Sequence, residues 1–251
     1  MMKLPTIELF LGATLLAGAA SCAPLQHAPW SKVHKGTWNI GASTGWAFYN
    51  ADVEAEGTSG VLKPGGKAQT GSDNTDLTPR YGGALKANYF FADHHSIGVI
   101  AEMRRFKADS VSPLSAELQP DDFTTYHFLL SYRYWPNPFP GEMRLRPFFG
   151  LDLGYVPGVT FDNVEVTYPA STGIPSENVK VDGDAFFTVA PVAGLSYLLR
   201  DNLTFELGTF YEISYEPSQA ELKLKNLGGA TANVDVWPQG LIVFLGLTYY
   251  L

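Results

Sequence analysis

A single cysteine, Cys22, stands among 251 residues, so neither an intrachain disulfide nor a cysteine-based zinc site can form. Charge is sparse at 17%, and 17 Lys and Arg against 25 Asp and Glu leave a net charge of -8. That balance excludes a nucleic-acid partner, which needs clustered Lys and Arg against phosphates. Long apolar runs are missing as well. Beyond roughly the first two dozen residues, none reaches the ~18 apolar residues of a membrane-spanning helix. What is abundant is aromatic residues, at 14%, and glycine, with 25. That mixture suits strands and close packing better than helices.

The first residues read as an export signal. Lys3 gives a positive start, and 9–20 (LFLGATLLAGAA) is apolar, too short to span a bilayer, and followed by small residues. Ala19-Ala20-Ser21-Cys22 resembles the lipobox of bacterial lipoproteins, which makes Cys22 a candidate lipidation position. Ala19 stands where that pattern usually has Leu, so cleavage after ordinary small residues is the alternative. The expected organisation is a signal segment over 1–22, a periplasmic lead-in over 23–35, and one domain over 36–251.

From Gly36 onward, segments of ten or so residues alternate apolar with small or polar positions, the mark of strands with two different faces. In the first, Trp38, Ile40, Ala42, Trp46 and Phe48 oppose Asn39, Gly41, Ser43 and Gly45. Seven more follow, over 83–92, from 96, and over 123–135, 144–155, 186–199, 203–215 and 240–251. Asp93-His94-His95, 136–143 and Arg200-Asp201-Asn202 make short links; 51–81, 108–122, 156–185 and 216–239 are long and polar. Short and long alternate strictly. The expectation is an all-β, eight-stranded, antiparallel, up-and-down transmembrane β-barrel, with short periplasmic turns and long extracellular loops. The bulky apolar face carries almost no charge, whereas the other mixes Gly, Ser and Thr with Lys86, Glu102, Arg104, Arg133, Asp152, Glu206 and Glu212. Eight strands leave a lumen barely wide enough for ordinary side chains, so the bulky face must point to lipid. Pro191, inside the sixth segment, needs a bulge or an unbonded position.

The chain ends GLTYYL, in which Gly246, Tyr249 and terminal Leu251 resemble the C-terminal β-signal of bacterial outer-membrane proteins. Leu251 departs from the usual terminal Phe. The phrases RPFFGLDLGY and VAGLSYLLRDNLTFELGTFY resemble hairpins of small OmpA-like and opacity-type outer-membrane barrels, over about 36–251. The resemblance implies the bacterial outer membrane as location, and engagement of Gly246, Tyr249 and Leu251 by the outer-membrane assembly machinery.

Chemistry is harder to find. Of five histidines, His27 and His34 precede the barrel, His94 and His95 occupy a turn, and only His127 lies on an interior face. No catalytic grouping, metal site, phosphate loop or cofactor motif emerges. The expected polar lumen cluster is Lys86, Glu102, Arg104, His127, Asp152, Glu206 and Glu212. If numbers across the Asp93-His94 hairpin sum to 188, Lys86 faces Glu102; similar counting sets His127 opposite Asp152, and Arg104 against Glu206 or Glu212. These groups read as a plug that fills the barrel, or else as a narrow ion path. The long loops read as hydrophilic spacers, or as binders of a surface ligand. The functional expectation is a monomeric barrel in outer-membrane lipid with a structural or surface-interaction role. A channel for ions or small solutes is the alternative, and a lipid-modifying membrane enzyme a distant one.

Overall fold

The computed structural model describes residues 30, 33–58, 67–114, 116–139 and 144–251. The export segment, Cys22 and His27 lie outside them. Among the described residues, twelve strands form one antiparallel sheet. They are β1 (Trp38–Gly57), β2 (Thr70–Ala92), β3 (His95–Ala108), β4 (Glu117–Pro120), β5 (Phe123–Tyr134), β6 (Leu145–Val156), β7 (Val159–Thr167), β8 (Glu177–Gly183), β9 (Phe186–Arg200), β10 (Leu203–Ser214), β11 (Ser218–Leu224) and β12 (Ala230–Tyr250). The ladders run β1-β2-β3-β5-β6-β9-β10-β12, and β12 pairs back onto β1 from Asn39↔Tyr250 to Gly57↔Ala232. This circuit leaves no free edge among its members.

The alternation seen in the sequence sets which face looks where. Trp38, Ile40, Trp46, Phe48, Leu85, Val99, Phe128, Leu130, Phe149, Leu151, Leu153 and Leu247 are all exposed, and together they girdle the circuit. Their sequence neighbours Asn39, Asn88, Ser96, Ser131, Asp152, Thr204, Glu206 and Thr248 are buried inside. An apolar belt of that extent does not face water in a soluble protein. No helix among the described residues is long and apolar enough to cross a membrane.

The long segments are not the loops that their polarity suggests. They form β4, β7, β8 and β11 and lengthen β1, β2 and β12. Along these stretches the two faces exchange character. On β1 the outward positions change from Trp46 and Phe48 to Asp52, Glu54 and Glu56, while the inward ones change from Gly41 and Ser43 to Ala51, Val53 and Ala55. The chain keeps its period of two but passes from a hydrocarbon-like exterior to an aqueous one. Val53, Val111, Leu118, Val164, Val166, Val179, Val181, Leu222, Leu224 and Val234 thereby form a second apolar core above the belt.

Prolines mark where strands change partner. β12 pairs with β10 up to Gln239↔Ile213 and with β11 from Val236↔Ser218, so Pro238, which has no N–H to donate, falls between the two ladders. Pro191 pairs with Leu151 on β6; on its other side the β9–β10 ladder passes from Val192↔Phe210 to Val189↔Ile213. Its missing donor thus meets a stretch without ladder pairs, the unbonded position expected of it. A wider break lies between β1 and β2, whose ladder stops at Ser43↔Ala84 and resumes at Tyr49↔Leu77. Pro79, Gly82 and Gly83 lie in that interval.

Candidate functional site

Inside the circuit, charge is paired in layers. Arg104 is the hub of the uppermost. Its guanidinium donates to Glu102 Oε1 (2.7 Å) and Oε2 (2.8 Å), to both Glu212 oxygens (3.2 and 3.0 Å), and to the Tyr49 hydroxyl (2.7 Å). The rings of Tyr49 and Phe210 flank it at 5.5 Å each. Below it Lys86 is paired with Glu206, and Arg133 holds Asp152 through two bonds of 2.5 and 2.9 Å. Such forked pairing is the form in which buried charge is tolerated.

The expected lumen residues therefore do meet, but in different pairs. Lys86 lies across from Ile100, and Glu102 from Ala84: the turn closes at Ala92↔His95, one residue tighter than the counted register, and a bulge at Phe91, before Phe90↔Ser96, removes one more. Lys86 reaches across the lumen to Glu206 instead. Asp152 sits opposite Ser131, and the β5–β6 ladder ends at Phe128↔Tyr155, before His127. His127 is paired with Glu102 on β3 and has its Nδ1 3.5 Å from Glu212 Oε1. Arg104 meets Glu212, as one of the two counted alternatives has it.

The short-turn end is closed by aromatics, which the reading of the lumen as small and polar did not anticipate. Phe90, Trp135 and Phe148 pack in sequence as tilted rings, with centroids 5.7 and 5.1 Å apart. Trp30, from the segment before β1, is tucked beneath them, edge-on to Tyr250 at 6.4 Å. Arg146 lies over both Trp30 and Trp135 and donates to the carbonyls of Pro136, Asp93 and Trp135. At the C-terminus, Gly246 packs inward against Ser43, Tyr249 points outward, and the Leu251 N–H donates to Trp38 O at 2.9 Å.

Above the Arg104 layer the lumen changes nature. A cavity of about 120 Å³ has walls that include Val53, Leu77, Phe106, Phe161, Val181 and Leu222, and its floor holds Tyr49, His127 and Glu212. A second cavity of about 240 Å³ lies beyond it, with Leu118 and Leu222 common to both and Val166, Tyr168 and Leu227 around it. Below Arg104, a space of about 70 Å³ reaches the β1–β2 break at Thr44, Gly45, Pro79, Gly82 and Gly83. Thr125, which sequence reasoning passed over, bonds His127 Nε2 at 2.9 Å on the chamber floor. Thr125, His127 and Glu212 form a line of hydroxyl, imidazole and carboxylate. Among the described residues no group of His, Cys, Asp and Glu is arranged to hold a metal ion.

No protein-family model matches the chain, and no curated protein does. Solved structures do. The outer membrane protein OprG from Pseudomonas aeruginosa superimposes with a TM-score of 0.61 at 18% identity, covering 87% of this chain and 97% of that one. The outer membrane protein AlkL, solved in DMPC lipid bilayers, gives 0.50 at 16% identity over 92% and 96%. At such identities the likeness is one of fold. With the exposed apolar girdle, it makes this chain a β-barrel of the small bacterial outer-membrane type that crosses its membrane with strands.

Proposed function

We propose that the protein is a monomeric outer-membrane barrel of eight transmembrane strands, β1, β2, β3, β5, β6, β9, β10 and β12, that captures small apolar molecules at the cell surface. The remaining strands form an extracellular superstructure. The observation that carries this reading is the apolar cavity seated on a charged floor, outside the belt that contacts lipid. At about 120 Å³ it is close to the ~150 Å³ of an apolar cavity that stays dry and binds benzene, so it fits one ring or a short chain. Binding there needs little more than exclusion of water from both surfaces.

The surface-interaction role expected from the sequence thus acquires an occupant, and the strands of the long segments take the place of a ligand-binding loop. The ion-pair layers beneath read as a plug. Arg104, Glu102 and Glu212 close the chamber below, and Trp30 with Arg146 closes the periplasmic mouth, so the lumen is not a straight ionic path. Gly246, Tyr249 and Leu251 serve insertion by the assembly machinery. The protein acts without catalysis or cofactor.

Fluorobenzene and ¹⁹F NMR on the protein in lipid nanodiscs test the reading. A bound resonance distinct from the lipid-dissolved one is expected, and Ala108→Phe, which fills the chamber wall, should abolish it. A wild-type spectrum with only the lipid signal would overturn the proposal.

A further inference from the structure

The extracellular strands divide into two bodies. An arm, β2-β1-β12-β11, continues the barrel wall upward. A flap, β4-β7-β8, lies against it with its apolar face inward. Between arm and flap the sheet is barely joined. β8 and β11 share one ladder pair, Gly183↔Ala220, next to the bond from Asp184 N to Gln219 O (2.8 Å) and that from Ser218 Oγ to Asp184 O (3.0 Å). Beyond that point no ladder connects Val179 and Val181 of β8 to Leu222 and Leu224 of β11, and both pairs wall the apolar interior.

At the far end the seam is closed again, by one side chain. Glu177, the first residue of β8, accepts the Lys225 N–H on Oε2 (2.9 Å) and the Asn226 N–H on Oε1 (3.1 Å), both from the β11–β12 turn. The Tyr168 hydroxyl, from the end of β7, donates to Oε1 at 2.5 Å. Burial and the Glu177 carboxylate push the Tyr168 pKa up, which keeps that hydroxyl a donor. Asn226 Nδ2 adds bonds to Pro175 O (3.1 Å) and Ser176 O (3.4 Å). At the base of the flap, Gly158 holds φ +115°, a conformation side chains rarely adopt, and its absent Cβ would stand 2.6 Å from Gly183 O. Glycines thus sit where the flap joins the barrel, and a carboxylate sits where it meets the arm.

We infer that the seam between β8 and β11 is the entrance to the apolar chamber, and that Glu177 is the latch that holds it shut. The inference rests on the chamber reading above and adds the route by which the chamber fills. The flap turns about Gly158 and Gly183, the Glu177 contacts part, and the unladdered row beside Val179 and Val181 opens toward the second cavity. An apolar solute then enters without crossing the charged floor. The latch is built from charge-assisted hydrogen bonds at the water-exposed rim, so it can reform after each passage.

The same ¹⁹F experiment, read for exchange rate, tests it. Glu177→Gln removes the charge and leaves one acceptor oxygen, so one of the two backbone N–H groups meets an amide NH₂ where it now finds oxygen. It should raise the exchange rate of fluorobenzene between bound and lipid-dissolved states roughly tenfold, with the bound fraction unchanged. Hydrogen exchange at the Lys225 and Asn226 amides should accelerate in parallel, while the transmembrane ladders keep wild-type protection. Asn226→Ala, which removes only the bonds to Pro175 and Ser176, should give a smaller change in the same direction. Wild-type binding with an exchange rate untouched by either variant would overturn the latch and leave the chamber reading standing. Absence of any bound signal in the wild type would remove both.

Discussion

The residue on which most else depends is Arg104, whose guanidinium serves two carboxylates and a tyrosine hydroxyl in a layer almost without water contact. Removing one member of a buried charge network strands the others. Arg104→Ala should therefore cost about 3–5 kcal/mol in urea unfolding, whereas replacing Arg104 and both partners by Met and Gln side chains of similar volume should cost much less. A second single-residue effect lies outside the membrane. The Ser112 and Asn74 amides donate to the Asp73 carboxylate and hold its pKa below the ordinary aspartate value. A depressed pKa in the folded state gives stability that is fully present above the unfolded value of about 4 and is lost as pH falls through the folded one. The protection factor of the Ser112 amide, its exchange rate set against the intrinsic rate at the same pH, should thus be high at neutral pH and fall below about pH 4. Asp73→Asn should remove that dependence.

At the scale of elements, the sequence made the faces of every transmembrane strand legible, because a period of two separates Phe149, Leu151 and Leu153 from Gly150, Asp152 and Gly154 without reference to any partner. It did not make the pairing legible. Register depends on turns and bulges, and a turn one residue tighter than counted, together with the bulge at Phe91, sets Lys86 opposite Ile100 rather than Glu102 and leaves it to pair with Glu206. Nor did it reveal the strands beyond the belt. Asp52, Val53, Glu54 and Ala55 alternate as regularly as Trp46, Ala47 and Phe48, but in water the apolar side is the inner one. A search for bulky outward residues passes over the inverted pattern. The inversion has a measurable consequence. Leu151→Lys, outward on β6, should cost ~2–4 kcal/mol, the cost of a lysine near the bilayer midplane. Glu165→Lys, outward on β7, should change stability by less than about 0.5 kcal/mol, as an ordinary surface substitution does.

For the whole molecule, four stacked zones follow from one another. Aromatics and Arg146 close the short-turn end, ion pairs fill the middle, an apolar chamber lies above them, and the flap covers the chamber. The sequence disclosed the middle zone, since charges on otherwise small-residue faces have few places to go. The chamber was hidden because its lining is drawn from eleven different strands and from segments whose overall composition is polar. A barrel plugged in this way should show no discrete openings in planar bilayers, and steady unitary conductance from the wild-type protein would refute the plug.

The central claim is that one face of a continuous strand meets lipid and then, a few residues on, water. Spin labels placed singly at 46, 48, 52, 54 and 56 of β1, in a Cys22→Ser background and in liposomes, measure this directly. Collision with oxygen should exceed collision with an aqueous nickel chelate at 46 and 48, and the order should reverse at 52, 54 and 56. Aqueous access at 46 and 48, or lipid-like values at 54, would contradict the account.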